Sequence, residues 1–233
     1  MIKQVTRVIA ITTMLGSPMV ASADWTDDWM MDVRFNYALM SDPGGTDQDV
    51  GDGSHIVTFN GDGIEGSSGF GFAIGKRFDS VGVSLVYEQM GMEYDLTGSV
   101  EADGDVLRTS TGDFDAETWM IEVDYTADIS ENWEWTMLFG LGQTTFDFGA
   151  NSASISPAAG GTFIVGDASD NSDTSTRLGV GIGVKLSEGA TLLTMLQYTN
   201  YGSADLKITD GQTTTTSLDS EATELSVRLR FDF

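Results

Sequence analysis

Between Arg177 and Lys185 the chain reads Arg-Leu-Gly-Val-Gly-Ile-Gly-Val-Lys, so a bulky aliphatic residue recurs at every second position. A period of two is the signature of a β-strand with one apolar and one contrasting face. Segments of this kind recur along the chain, separated by stretches rich in Gly, Asp, Ser and Thr that read as loops. After residue 23 there is no long unbroken apolar run, so any membrane span must be built from strands.

Eight such segments can be placed. They lie near Met31–Leu39, Ser68–Phe78, Val81–Gln89, Glu117–Thr126, Trp133–Phe146, Thr176–Leu186, Thr191–Thr199 and Glu224–Phe233. The seventh is ambiguous, because Leu192, Leu193, Met195 and Leu196 straddle both faces. The connections alternate too. Short ones fall around Asp79–Ser80, Ala127–Asn132 and Ser187–Ala190, and long ones around Met40–Ser67, Met90–Ala116, Phe148–Ser175 and Gly202–Ala222. Short periplasmic turns and long outer loops are the pattern of a bacterial outer-membrane barrel. The expectation is an all-β, eight-stranded antiparallel transmembrane β-barrel with long acidic outer loops.

Alternation alone does not say which face meets the solvent, since a soluble lipocalin-type barrel alternates with its apolar face inward. Volume decides first. Phe35, Tyr37, Phe70, Phe72, Tyr87, Trp119, Tyr125, Trp135, Phe139, Tyr198, Phe231 and Phe233 all belong to the apolar set. An eight-stranded barrel is just wide enough for side chains to fill, and so many rings would not fit inside. Glycine decides second: Gly179, Gly181 and Gly183 share the opposite face, where they would make room for longer neighbours. Charge decides third. Arg34, Arg77, Arg177, Lys185, Arg228 and Arg230 fall on the small-residue face, as do Asp32, Glu88, Glu122, Asp124, Glu134, Glu224 and Asp232. A Lys or Arg facing lipid at the midplane would cost roughly 2–4 kcal/mol. The rings therefore face lipid, and the ions share the lumen. Arg34, Glu88, Glu122 and Arg228 fall near mid-depth, and with Glu134 and Arg230 they form the expected structural charge network of the lumen. Trp29, Trp133, Trp135, Phe231 and Phe233 near the periplasmic rim, and Tyr37, Trp119 and Tyr198 nearer the outer rim, suit aromatic girdles.

The first residues read as an export signal. Lys3 and Arg7 are basic, Val8 to Leu15 is a short apolar stretch, and Ala21-Ser22-Ala23 offers a cleavage site before Asp24. Residues 1–23 are thus expected to be a signal peptide and 24–233 a single barrel domain, exported through the periplasm to the cell outer membrane.

The C-terminal stretch Leu196-Gln-Tyr-Thr-Asn-Tyr-Gly-Ser-Ala-Asp-Leu206, followed by Glu224-Leu-Ser-Val-Arg-Leu-Arg-Phe-Asp-Phe233, resembles the end of the opacity-protein-like outer-membrane β-barrels. That family is similar in build to the transmembrane part of outer membrane protein A. The resemblance implies that Leu229, Phe231 and Phe233 form the terminal signal read by the barrel-assembly machinery. In contrast with outer membrane protein A, no peptidoglycan-binding domain is expected after the barrel, and the acidic loops lie outside the shared pattern.

Acids outnumber bases, with Asp+Glu 36 against Lys+Arg 11, which argues against a nucleic-acid partner. There is no Cys, so disulfides and thiolate metal sites are excluded. The one histidine, His55, lies beside Ser54 in the first long loop with Asp49, Asp52 and Asp62 nearby, but nothing in the sequence frames a catalytic triad. No enzyme activity and no cofactor are expected. Asp47, Asp49 and Asp52, like Glu101, Asp103 and Asp105, are closely spaced oxygen donors, but neither group matches a calcium loop, and a solvated acidic surface is the simpler reading. Two roles remain: a structural or surface-interaction barrel with a filled lumen, whose partners are outer-membrane lipid and an extracellular ligand or surface, or a small porin-like channel.

Overall fold

The computed structural model describes residues 28–41, 46–49, 56–61, 67–99, 106–148, 151–155, 162–167, 172–210 and 212–233. They form twelve strands: β1 (Trp29–Ser41), β2 (Thr46–Asp49), β3 (Ile56–Gly61), β4 (Ser68–Phe78), β5 (Val81–Ser99), β6 (Val106–Ser130), β7 (Trp133–Phe148), β8 (Asn151–Ile155), β9 (Thr162–Asp167), β10 (Ser172–Ser187), β11 (Ala190–Asp210) and β12 (Gln212–Asp232). Eight of them close a barrel in the cyclic order β1, β4, β5, β6, β7, β10, β11, β12, every neighbour antiparallel. Closure leaves no edge within the ring, the condition for strands to cross a bilayer. These eight are the segments expected from the alternation. The expected signal peptide, residues 1–23, lies outside the described residues.

The turns Asp79–Ser80, Glu131–Asn132 and Glu188–Gly189 share one end of the barrel with both ends of the described chain, where the Phe233 amide donates to the Trp29 carbonyl at 2.9 Å. This is the periplasmic end. Asp79 and Asp28 adopt positive φ there, at 54° and 70°, a conformation Asp tolerates better than most side chains.

The strands are longer than the alternation suggested. β5 and β6 run on to Ser99 and Val106, and β11 and β12 to Asp210 and Gln212, so much of the second and fourth expected loops is continuous hairpin. The first and third loops contain the hairpins β2–β3 and β8–β9. Stretches such as Thr213–Ser217 carry loop-like composition, yet threonine is β-branched and favours strand once a partner ladder exists.

The apolar set faces outward. Leu178, Val180 and Ile182 are 59%, 59% and 51% exposed, whereas Arg34 and Glu224 at lumen positions are 1% and 0% exposed. About nine residues per strand, rising about 3.3 Å each and tilted, span a band about 25 Å tall. Such an inverted distribution is stable only where hydrocarbon meets the outside. On β11, Leu192, Leu196 and Tyr198 face out, while Leu193 and Met195 face in and pack on Leu138. That settles the ambiguous strand. Ala73, Val86 and Met120 form a second apolar cluster inside, so the interior is not purely ionic.

Candidate functional site: the lumen charge cluster

Antiparallel register lines up the lumen residues across neighbouring strands. Arg34 on β1 stands opposite Gly71 on β4, which stands opposite Glu88 on β5. Glu122 on β6 stands opposite Gly140 on β7, which stands opposite Arg177 on β10. In each line a glycine separates the acid from the base. A Cβ on Gly71 would collide with the Glu88 side chain and come within 3.2 Å of Arg34 Cγ. A Cβ on Gly140 would strike the Met120 sulfur and reach 3.3 Å from Arg177 Cβ. These glycines are spaces through which long side chains meet.

At the centre, Glu122 accepts from three arginines. Arg34 Nη1 lies 2.9 Å from Oε1, Arg177 Nη1 2.9 Å from Oε1, and Arg228 Nη1 3.1 Å from Oε2. Glu88 accepts from Arg34 Nη1 at 3.2 Å and from Arg177 Nη2. Asp32 closes a two-pronged contact on Arg34 at 2.8 and 2.9 Å, the planar fork geometry that guanidinium and carboxylate share. Charges so buried are tolerable only when each is paired and hydrogen-bonded.

Toward the outer end the cluster continues through neutral groups. Arg228 Nη2 donates to the Gln197 carbonyl oxygen at 2.6 Å, and the Gln197 amide donates to Glu224 Oε2 at 2.5 Å. The Tyr201 hydroxyl also donates to Glu224, and Arg177 Nε donates to Thr199 at 2.9 Å. Phe114, Phe146 and Tyr201 are buried in the outer part of the barrel, three rings that volume alone had not placed inside.

Toward the periplasm, Arg230 Nη2 donates to Glu134 at 2.6 Å and Arg230 Nε to Asp232 at 3.3 Å. Arg77 Nη2 lies 3.3 Å from Asp124. Below them a cavity of about 770 Å³ opens between the three turns. A smaller one, of about 440 Å³, lies at the outer end beside Asp173, Asn200 and Glu221.

Of the six residues expected in the lumen, Arg34, Glu88, Glu122 and Arg228 come together in one cluster, and Glu134 and Arg230 form a separate pair nearer the periplasm. Arg177, Gln197, Tyr201 and Glu224 belong to the central cluster and were not among those six. Strand stagger hides Arg177: it lies further along the chain from its turn than Arg34 lies from the terminus. Tracing the pairing Glu122–Gly140–Arg177 would have found it. His55, Ser54, Asp52, Asp62, Glu101, Asp103 and Asp105 lie outside the described residues. Asp47 and Asp49 fall on β2. Among the described residues no group of His, Cys, Asp or Glu is arranged to hold a metal ion.

No model of a known protein family matches the chain, and no curated protein matches its sequence. Solved structures do resemble it. The outer membrane protein AlkL, determined in lipid bilayers, aligns over 94% of this chain and 95% of its own, at 16% identity and a TM-score of 0.57. The outer membrane protease OmpT of Escherichia coli aligns over 92% and 99%, at 9% identity and 0.52. The Neisserial surface protein NspA aligns over 89% and 98%, at 12% identity and 0.50. The likeness is one of fold, and the fold is that expected from the resemblance to opacity-like barrels. Closure, inverted polarity and this likeness make the chain an integral β-barrel protein of the outer membrane.

Proposed function

We propose that this barrel does not conduct and serves a structural and surface-directed role, carrying its acidic outer strands into the medium. The observation that supports this reading is the central cluster. Arg34, Arg177, Arg228, Glu88 and Glu122 are all buried and reach one another from five different strands, spanning the lumen. Opening a path for ions would require separating these pairs inside a low-dielectric interior. The cavities at the two ends favour the alternative, a small pore, in which the cluster would be a constriction between wet mouths. Planar-bilayer recording separates the two. Silence from the native protein is the expected result, and steady unitary channels altered by Glu122→Gln would establish the pore instead.

Two further readings concern biogenesis. Residues 1–23 act as a cleaved export signal. Leu229 and Phe231, in the outward phase of β12, and Phe233, which follows that strand, are recognised by the barrel-assembly machinery before β12 closes the ring. An enzymatic role has no support from the lumen, whose titratable groups are engaged with one another.

A further inference from the structure

The outward face of the barrel differs around its circumference. On β4, β5 and β6 three rings stand directly opposite one another in the ladder, Phe72 against Tyr87 and Tyr87 against Trp119. Their centroids lie 5.5 and 4.9 Å apart with the planes tilted by 41° and 53°, within the range at which aromatic pairs attract. Phe72 and Trp119 are exposed and Tyr87 is half-buried between them, so the rings form a continuous shelf on the outside of the wall. Among the described side chains in the outer half of β10, β11 and β12, the same face carries a single ring, Tyr198, whose hydroxyl donates to Glu221.

The rows on either side of the shelf differ in chemistry. Toward the periplasm the ladder lines up Ile74, Leu85, Ile121 and Leu141, all exposed and all aliphatic. Toward the outer end it lines up Gln89, Glu117 and Thr145, and Gln143 extends the shelf's own row beside Trp119. Successive rows are two residues, or about 7 Å, apart. Beyond the polar row Gly91 leaves an open notch, where an added Cβ would make only ordinary contact with Asp115. An apolar wall, an aromatic shelf and a hydrogen-bonding rim therefore follow one another along β5 and β6.

Charge narrows what can rest there. In the outer half of the barrel wall, the described outward-phase side chains include Asp115, Glu117, Asp147 and Glu221 but no Lys or Arg. The one outward-phase cation among the described side chains is Lys76, opposite Trp29 and close to the periplasmic turn Asp79–Ser80. A phosphorylated headgroup at the shelf would meet carboxylates, with no guanidinium or ammonium to hold it. A sugar hydroxyl needs neither.

We propose that the shelf is a docking surface for a glycolipid of the outer leaflet whose sugar headgroup is uncharged. Its acyl chains lie along the aliphatic row. The C–H face of its first sugar stacks on Tyr87 and Trp119, rings suited to a level where one side is apolar and the other wet. Its hydroxyls bond to Gln89, Glu117 and Gln143, which together supply amide donors and both carbonyl and carboxylate acceptors. Binding there goes beyond the structural role proposed above and is independent of conduction, so a leaking lumen would leave it untouched.

The test uses the full chain in phosphatidylcholine nanodiscs containing diglucosyl diacylglycerol with matched acyl chains, in buffer with a chelator. Native mass spectrometry counts the lipids that stay bound as the disc is stripped. The glucosyl lipid is expected to be retained over phosphatidylcholine by about threefold to tenfold, the gain from one or two ring contacts. Trp119→Leu, which keeps the wall apolar, and Glu117→Ala, which shortens the rim, should each remove most of that preference. Tyr198→Leu, the matching change on β11, should leave it intact. The compact heat-modifiable gel band certifies the fold of each variant, and Gln143→Ala replaces any ring change that does not fold. Equal retention of the two lipids would overturn the proposal, as would equal loss with Tyr198→Leu, which would reduce the shelf to a general interfacial girdle. Stronger retention of phosphorylated lipid A in parallel discs would also overturn it, and so would displacement of the glycolipid by soluble maltose, which would make a free sugar the ligand.

Discussion

Arg177 and Glu122 meet across Gly140, the residue paired with both in the ladder, with Nη1 donating to Oε1 at 2.9 Å. The contact exists because the intervening strand contributes no side chain at that level. It shows how a narrow barrel fills its axis: long charged groups occupy the space that glycines leave, and each guanidinium finds a carboxylate from a strand it does not neighbour.

Glu122 accepts from three arginines, so its loss leaves more buried positive charge than Glu88 and Asp32 can offset. Glu122→Gln is expected to destabilise the barrel by about 3–5 kcal/mol, the cost of breaking a buried ion pair from one side. Urea unfolding of the protein in vesicles measures it, and an unchanged midpoint would mean that the cluster contributes nothing.

Glycine substitutions should sort by what surrounds them. Gly140→Val would push into Met120 and Arg177 and should cost about 1–3 kcal/mol, as overpacking does. At Gly91 an added Cβ meets nothing nearer than Asp115 Oδ1 at 3.6 Å, so Gly91→Ala should stay within about 0.5 kcal/mol of the native protein. The temperature at which the compact gel band disappears ranks the two variants.

Phe233 is 60% exposed at the periplasmic end, where its side chain adds little to packing. If it serves recognition, Phe233→Ala should slow insertion into vesicles containing the purified assembly machinery several-fold, while spontaneous folding into detergent proceeds at the native rate. Equal slowing in both would assign the residue to stability alone.

The barrel was legible because two independent periodicities agree. Alternation along Leu178, Val180 and Ile182 names the strand, and the alternation of short and long connections names the topology. The facing of β11 was not legible. Leu193 and Met195 look like lipid-facing residues, and only the partner Leu138, on the far side of the glycines of β10, reveals an internal apolar cluster. Arg34, Glu88, Glu122 and Arg228 could be placed near one level by counting from the turns, but stagger defeats that counting at Arg177. The outer strands escaped notice for a compositional reason. Stretches rich in threonine, aspartate and glycine read as loop until the ladder pairs them with a partner strand.

The central claim is that the rings outside this barrel touch hydrocarbon, and tryptophan fluorescence tests it most directly. Trp119, Trp133 and Trp135 are 50%, 48% and 37% exposed on the outer face. In vesicles of brominated lipid their emission should be strongly quenched, while aqueous acrylamide should have little effect. Strong acrylamide quenching with indifference to brominated lipid would contradict the account.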